Sequence, residues 1–239
     1  MSWSKDMIFG AASAAYQVEG AYNSDGRGLS IWDALSDGHV KHGDNGNTAC
    51  DEYHRFRDDI ALMKKLNLQA YRFSVSWPRV IPKEGVVNEK GIRYYQNLVD
   101  EVLAHGMIPM VTLYHWDLPM WMHGKGGWYA DEIADQFASY VEVVVDALSD
   151  RVKYWMTMNE AATFIGAGYL EGMHAPFETV SRDAEDYEEK VSVLTKHVLS
   201  AHGRAVQIIR KKAKLQPVIG IAMDGKFFLP DSEEEKDIE

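Results

Sequence analysis

What most constrains this chain is an alternation. Short apolar, β-rich runs take turns with longer segments whose apolar residues recur every three or four positions. The runs lie near Ile8 to Gly10 and at Ala70 to Trp77, Ile108 to Trp116, Tyr154 to Glu160 and Val218 to Asp224. Between them Tyr53, Phe56, Ile60 and Met63 repeat at helical spacing, and Ile92, Tyr95, Leu98 and Val102 do the same. Ile133, Phe137, Val141, Val144 and Leu148 form a third such series, and Val191, Leu194, Val198, Ala201 and Ile208 a fourth. This order predicts β/α units around a parallel sheet, with each helix turning one face to the strands. At 239 residues the chain is close to the about 250 of a complete (β/α)8 barrel, yet long connections after the first, third and fourth strands leave room for only five units. The expected fold is therefore α/β, a partial (β/α)8 TIM barrel of about the first five β/α units. Residues 1–239 would form the N-terminal part of one barrel domain, completed by a missing C-terminal part or by association.

Composition narrows the function classes. With 46% hydrophobic and 11% aromatic residues the chain can bury a sizeable core, and no Gly/Ser linker or low-complexity tract divides it. A formal net charge of -11 argues against a nucleic-acid partner, which needs clustered Lys and Arg, and favours a neutral ligand. The start, Met1 to Met7, lacks a signal-like apolar run, and no stretch reaches the roughly 18 apolar residues of a membrane span, so the expectation is a soluble, cytoplasmic protein with no membrane partner. The single cysteine, Cys50, excludes an internal disulfide and a thiolate metal site, and packing is its expected role. The acidic run Asp231 to Glu239 stands where the helix after the fifth strand would begin.

The chemistry gathers at the strand ends, which in a barrel form the mouth where catalysis sits. The fourth run closes with Thr157, Met158, Asn159 and Glu160. Cleaving a glycoside needs one carboxyl group that stays protonated to assist the leaving group, and nearby aromatics can supply the desolvation that raises its pKa. Glu160 fits that role; taken alone, it fits equally a strand-end residue capping the next helix. The third run ends at His115 and Trp116, and Gln17 follows the first. Amide and imidazole groups suit sugar hydroxyls, and aromatic rings, here Trp77, Trp116 and Trp155, suit the C–H face of a pyranose.

The blocks from Ala11 to Ala21, Tyr71 to Arg79 and Thr112 to Pro119, with the Asn159–Glu160 pair, resemble glycoside hydrolase family 1. The blocks Asp25 to Asp33, Gly126 to Trp128 and Gly172 to Pro176 extend the resemblance essentially end to end. It implies a β-glucosidase-type retaining glycosidase in which Gln17, His115 and Asn159, with Trp116, bind the sugar, Glu160 is the general acid/base and Arg72 faces the nucleophile. The family's nucleophile is a second glutamate in an Ile/Val-Thr-Glu-Asn-Gly block, and no such block occurs in this sequence. The retaining pair of carboxyls, about 5 to 5.5 Å apart, would then need a complementary C-terminal barrel fragment. Asp224 is the only obvious local substitute, although a strand-end Asp more often binds loop backbone. Where the family continues Asn-Glu with Pro and often an aromatic, this chain has Ala161 and Ala162, which removes a stacking surface for the leaving group; Met158 reads as core packing. The His115 to Pro119 form resembles members acting on unphosphorylated β-glucosides.

No metal or cofactor is called for. His39, His42 and Asp44 lie in a turn-rich loop, His197 and His202 read as surface or packing residues of the fourth helix, and Lys211 to Lys214 suits a helix C-terminus. Two functions follow: one part of a glycosidase acting on a β-glucoside or related oligosaccharide, or an inactive partial barrel that forms a homo-oligomer over its open edges and at most binds sugar.

Overall fold

The computed structural model describes residue 4, residues 6–225 and residues 232 and 234; apart from Ser232 and Glu234, the acidic run from Asp231 to Glu239 lies outside the described residues. Five parallel strands form one sheet in the order of the chain: β1 (Gly10–Ala12), β2 (Ala70–Ser74), β3 (Ile108–Thr112), β4 (Tyr154–Asn159) and β5 (Val218–Ala222). Four long helices connect them: α1 (Glu52–Lys65), α2 (Glu89–Ala104), α3 (Ile133–Leu148) and α4 (Tyr187–Lys212). The expected β/α alternation is thus present, and strand ends differ from the expectation for local reasons. Val75 and Trp77 are fully buried beyond the end of β2, in a turn and the short helix Trp77–Val80, and an apolar run alone does not distinguish these from strand. The first strand begins at Gly10 rather than before it, where a Cβ would stand 2.7 Å from the Ala70 carbonyl oxygen; only a glycine lets β1 approach β2 this closely.

The sheet has two unlike faces. Tyr71, Phe73, Val111 and Trp155 belong to the main core together with Phe56 and Ile60 of α1, Leu98 and Val102 of α2, five residues of the α3 stripe and Leu194 and Val198 of α4. In α4 the buried position is Ile209, with Ile208 only half-buried. On the opposite face the register aligns Arg72 with Met110 and Met110 with Tyr154, and all three are half-buried. Trp77 and Trp155, expected near a sugar, are instead core residues; Trp77 stacks on Tyr140 with ring centroids 5.2 Å apart. Cys50, expected to pack, is exposed. Met158 is fully buried, as core packing requires. No helix among the described residues is long and apolar enough to cross a membrane.

Candidate active site

Because the strands are parallel, their C-terminal ends lie on one side, and each expected site residue arrives there by its own local device. Gln17 sits on a single helical turn, Ala15–Val18, directly after β1, with its side chain exposed. Arg72 lies on the open face of β2. Its Nε donates to Thr112 Oγ1 at 2.8 Å and its Nη2 donates to Asn159 Oδ1 at 2.7 Å, so one guanidinium braces β2, β3 and β4.

Asn159 reaches that face only because β4 is irregular. Trp155 and Thr157 point to the helices, the latter sharing a 2.8 Å hydrogen bond with His202 of α4; strict alternation would send residue 159 the same way. The register instead shifts between Met156 and Asn159, which turns Met158 into the core and Asn159 toward Arg72. Glu160 follows in the left-handed region (φ 47°, ψ 64°), a conformation costly for a residue with a side chain, and its N–H donates to the Ala222 carbonyl of β5 at 2.7 Å. Its side chain does not cap the short helix Ala161–Thr163, so the helix-capping role is not taken. The half-buried carboxyl has no hydrogen bond or ion pair among the described residues. A π-helical stretch, Phe164–Leu170, comes next, a form that recurs at functional sites.

Beyond β3, Trp116 also has a positive φ (76°), and its indole Nε1 donates to the Asn159 carbonyl at 2.8 Å. Burial, with the Arg72 charge adding to it, pushes the His115 pKa down to about 4. The imidazole is therefore neutral at physiological pH and offers one donor and one acceptor; its Nδ1 is buried with no hydrogen-bond partner among the described residues. Burial lowers the Arg72 pKa while the neighbouring Glu160 charge opposes that shift, so the two groups are electrostatic neighbours.

A cavity of about 220 Å³ is lined by Tyr16, Gln17, Trp32, His115, Trp116 and His174. Tyr16 stacks on Trp32 at 5.6 Å, and the His174 ring stands 5.7 Å from Trp32 and 5.3 Å from Trp116, giving an aromatic wall with polar edges. Glu160 does not line this cavity; its neighbour in the chain, Asn159, is tied to the cavity wall through the Trp116 indole. Tyr16, Trp32 and His174 were not singled out by sequence reasoning, although all three lie in family-like blocks. Trp32 is held by a capping box visible in the sequence: Asp33 N donates to Ser30 Oγ, and the Asp33 carboxylate accepts from Ser30 N at 2.7 Å and from Arg27 at 2.7 Å.

The remaining candidates have other duties. A larger hollow, about 520 Å³, lies between α1 and α2, and three of its polar groups bond to one another: Asp25 pairs with Lys90 at 2.9 Å and accepts from Tyr53 at 2.9 Å. His39 stacks on Phe177 at 4.2 Å, and no metal-binding group of His, Cys, Asp or Glu forms among the described residues. His197 is buried against the Trp128 carbonyl, 2.9 Å away, and Lys212 pairs with Glu142 and Asp146. Asp224 is exposed.

The model of the glycosyl hydrolase family 1 domain matches residues 1–239. The chain belongs to that family. It is 45% identical over 234 residues to beta-glucosidase A of Thermotoga maritima, covering 97% of this chain and 51% of that protein. It is 41% identical over 242 residues to beta-glucosidase A of Acetivibrio thermocellus, covering all of this chain and 52% of the relative. The solved Thermotoga maritima beta-glucosidase in complex with deoxynojirimycin superposes with a TM-score of 0.90 at 42% identity, over 99% of this chain and 52% of that one. The chain thus spans about half the length of the relatives it matches, and its five-stranded sheet is a partial barrel of the glycosidase kind.

Proposed function

We propose that residues 1–239 are the N-terminal part of a single (β/α)8 catalytic domain that hydrolyses terminal β-D-glucosyl or related residues with retention of configuration. In this reading Glu160 is the general acid/base, Gln17, His115, Trp116 and Asn159 hold the sugar, and Arg72 faces a nucleophilic carboxylate supplied by the remaining part of the domain. Glu160 first gives its proton to the glycosidic oxygen as the nucleophile bonds to the anomeric carbon. It then takes a proton from the water that releases the sugar. Neutral His115 accepts from or donates to a hydroxyl without adding charge beside the developing oxocarbenium ion. The observation that carries the reading is the Glu160 carboxyl, without a hydrogen bond or ion pair among the described residues, in the chain next to the Arg72–Asn159 brace.

The test is turnover of a β-glucoside with a poor leaving group, by this chain alone and with the complementary C-terminal barrel part. Activity is expected only in the completed domain, and Glu160→Gln should lower it by about 10² to 10⁴-fold. Full turnover that survives Glu160→Gln sinks the assignment, and full turnover by the lone chain removes the need for a complement.

The edges of the sheet favour a second reading, a non-catalytic partial barrel that self-associates: Ile8 and Phe9 beside β1 and Val218 in β5 are exposed apolar residues. A native mass spectrum distinguishes the two, since self-association gives a homo-oligomer without hydrolysis and the first reading a 1:1 complex with the C-terminal part.

A further inference from the structure

The turn Ala15–Val18 that carries Gln17 is only four residues long, too short to hold its shape by its own hydrogen bonds, yet both of its ends are anchored in the protein interior. At its start Ala15 N donates to Ser74 Oγ at 2.7 Å. At its end stands Glu19, two residues beyond Gln17 and 3% exposed. One Glu19 carboxylate oxygen accepts from Arg79 Nε at 2.8 Å and the other from the Tyr95 hydroxyl at 2.5 Å. Arg79 is itself fully buried; its Nη2 donates to the Gly20 carbonyl at 3.2 Å and its guanidinium lies 4.2 Å over the Tyr53 ring. Tyr95 is fixed in turn by the Ser76 N–H, which donates to its hydroxyl at 2.7 Å, and Tyr53 N donates to the Glu19 carbonyl at 3.1 Å. Gly20 (φ +62°) then lets the chain leave, in a space where a Cβ would fall 2.1 Å from the Thr48 carbonyl.

Glu19, Arg79 and Tyr95 do not line the cavity that Gln17 lines. A buried ion pair is also a poor source of net stability, because desolvation offsets most of its attraction; a directional lock is what it provides that an apolar pair does not. We infer that Glu19, held by Arg79 and Tyr95, is a positioning residue that fixes the backbone of the Gln17 turn relative to α2 and the short helix that follows β2, and so sets where the Gln17 amide meets the sugar. This rests on the reading of Gln17 as a sugar-binding residue.

The experiment uses Glu19→Gln in the full chain, with ¹⁵N relaxation of the Gln17 backbone amide in the ligand-free state as its first readout. The order parameter is expected to fall from the rigid value of about 0.85 to below about 0.6 while α3 is unchanged; an unchanged value at Gln17 overturns the inference. The second readout is a double-mutant cycle with deoxynojirimycin as the probe. Glu19→Gln should weaken binding about tenfold, and adding it to Gln17→Ala should cost nothing more; losses that simply multiply overturn it. If the wild-type chain does not bind the probe even when completed by the C-terminal barrel part, the sugar-site reading fails, and the relaxation result still decides the positioning role. Should Glu19→Gln not fold, Tyr95→Phe removes the hydroxyl contact while keeping the ring and is measured the same way.

Discussion

The two faces of the sheet differ in a way that defines what this chain is. On the helix side Tyr71, Phe73, Val111 and Trp155 are sealed under α1 to α4, each almost fully buried. On the other side Arg72, Met110, Tyr154 and Met156 remain half-buried, although parallel sheets are ordinarily covered on both faces. In a closed barrel that second face is the packed interior, and the hydrogen-bonded pair Arg72 and Asn159 stands on it. The covered face therefore carries the core, and the open face leaves side chains only partly withdrawn from water.

Stability should separate the faces sharply. Trp155→Ala removes a fully buried indole from the covered side and is expected to cost about 3–5 kcal/mol, read by equilibrium urea unfolding. A cost under 1 kcal/mol would mean that the helices do not seal this face. Next in size is Gly10→Val at the edge, where the new side chain collides with the Ala70 backbone of β2. Overpacking of this kind costs about 1–3 kcal/mol, and hydrogen exchange should show β1 detaching while β2 to β4 stay protected.

How much of this was legible beforehand follows the same division. The helix stripes and the five strand runs could be read because burial on the covered face imposes a period of 3.6 or 2 on the residues. Met158 and the four-helix core were found for that reason. Trp77 and Trp155 were misplaced because an apolar aromatic looks the same in sequence whether it faces a core or a ligand. That Asn159 and His115 stand at or just beyond strand ends was legible from polar residues closing apolar runs. The irregularity that turns Asn159 to the open face was not, since a register shift depends on the neighbouring strand. Tyr16 and Trp32 from the β1-to-α1 connection meet His174 from the β4-to-α4 connection, and no local pattern reports that meeting. Cys50 was expected inside because cysteine usually is, and its loop simply passes over the surface.

Burial at the rim also predicts a pH dependence. Asp117 is 1% exposed, and burial pushes its pKa up to about 8, with Ser76 and Arg27 pulling the other way; burial likewise pushes Glu52 up to about 7 against the Tyr71 hydrogen bond. Both shifts are upward, so the folded protein holds protons that the unfolded chain has released. Stability from these groups is present in full below about pH 4 and is lost as the pH rises toward about 8, by at most about 1.4 kcal/mol per pH unit for each proton. Asp117→Asn should flatten the decline between pH 5 and 8 in unfolding midpoints. A slope equal to that of the wild type would show that Asp117 is ionised in the fold.

The smallest effect is expected on the open face, and it sharpens the comparison most. Met110 is half-buried between Arg72 and Tyr154, so Met110→Ala removes a side chain that this chain has only partly taken from water. Its cost in urea unfolding should be about 1 kcal/mol or less, against about 2–5 kcal/mol for a methionine in a closed core. If the open face is the interior of a barrel, adding the complementary C-terminal part should raise the cost of the same substitution into that higher range. The substitution then reports closure directly, without any need for catalysis. A cost that stays small in the complex would place Met110 outside the interface, and a large cost in the lone chain would mean that this face is already covered.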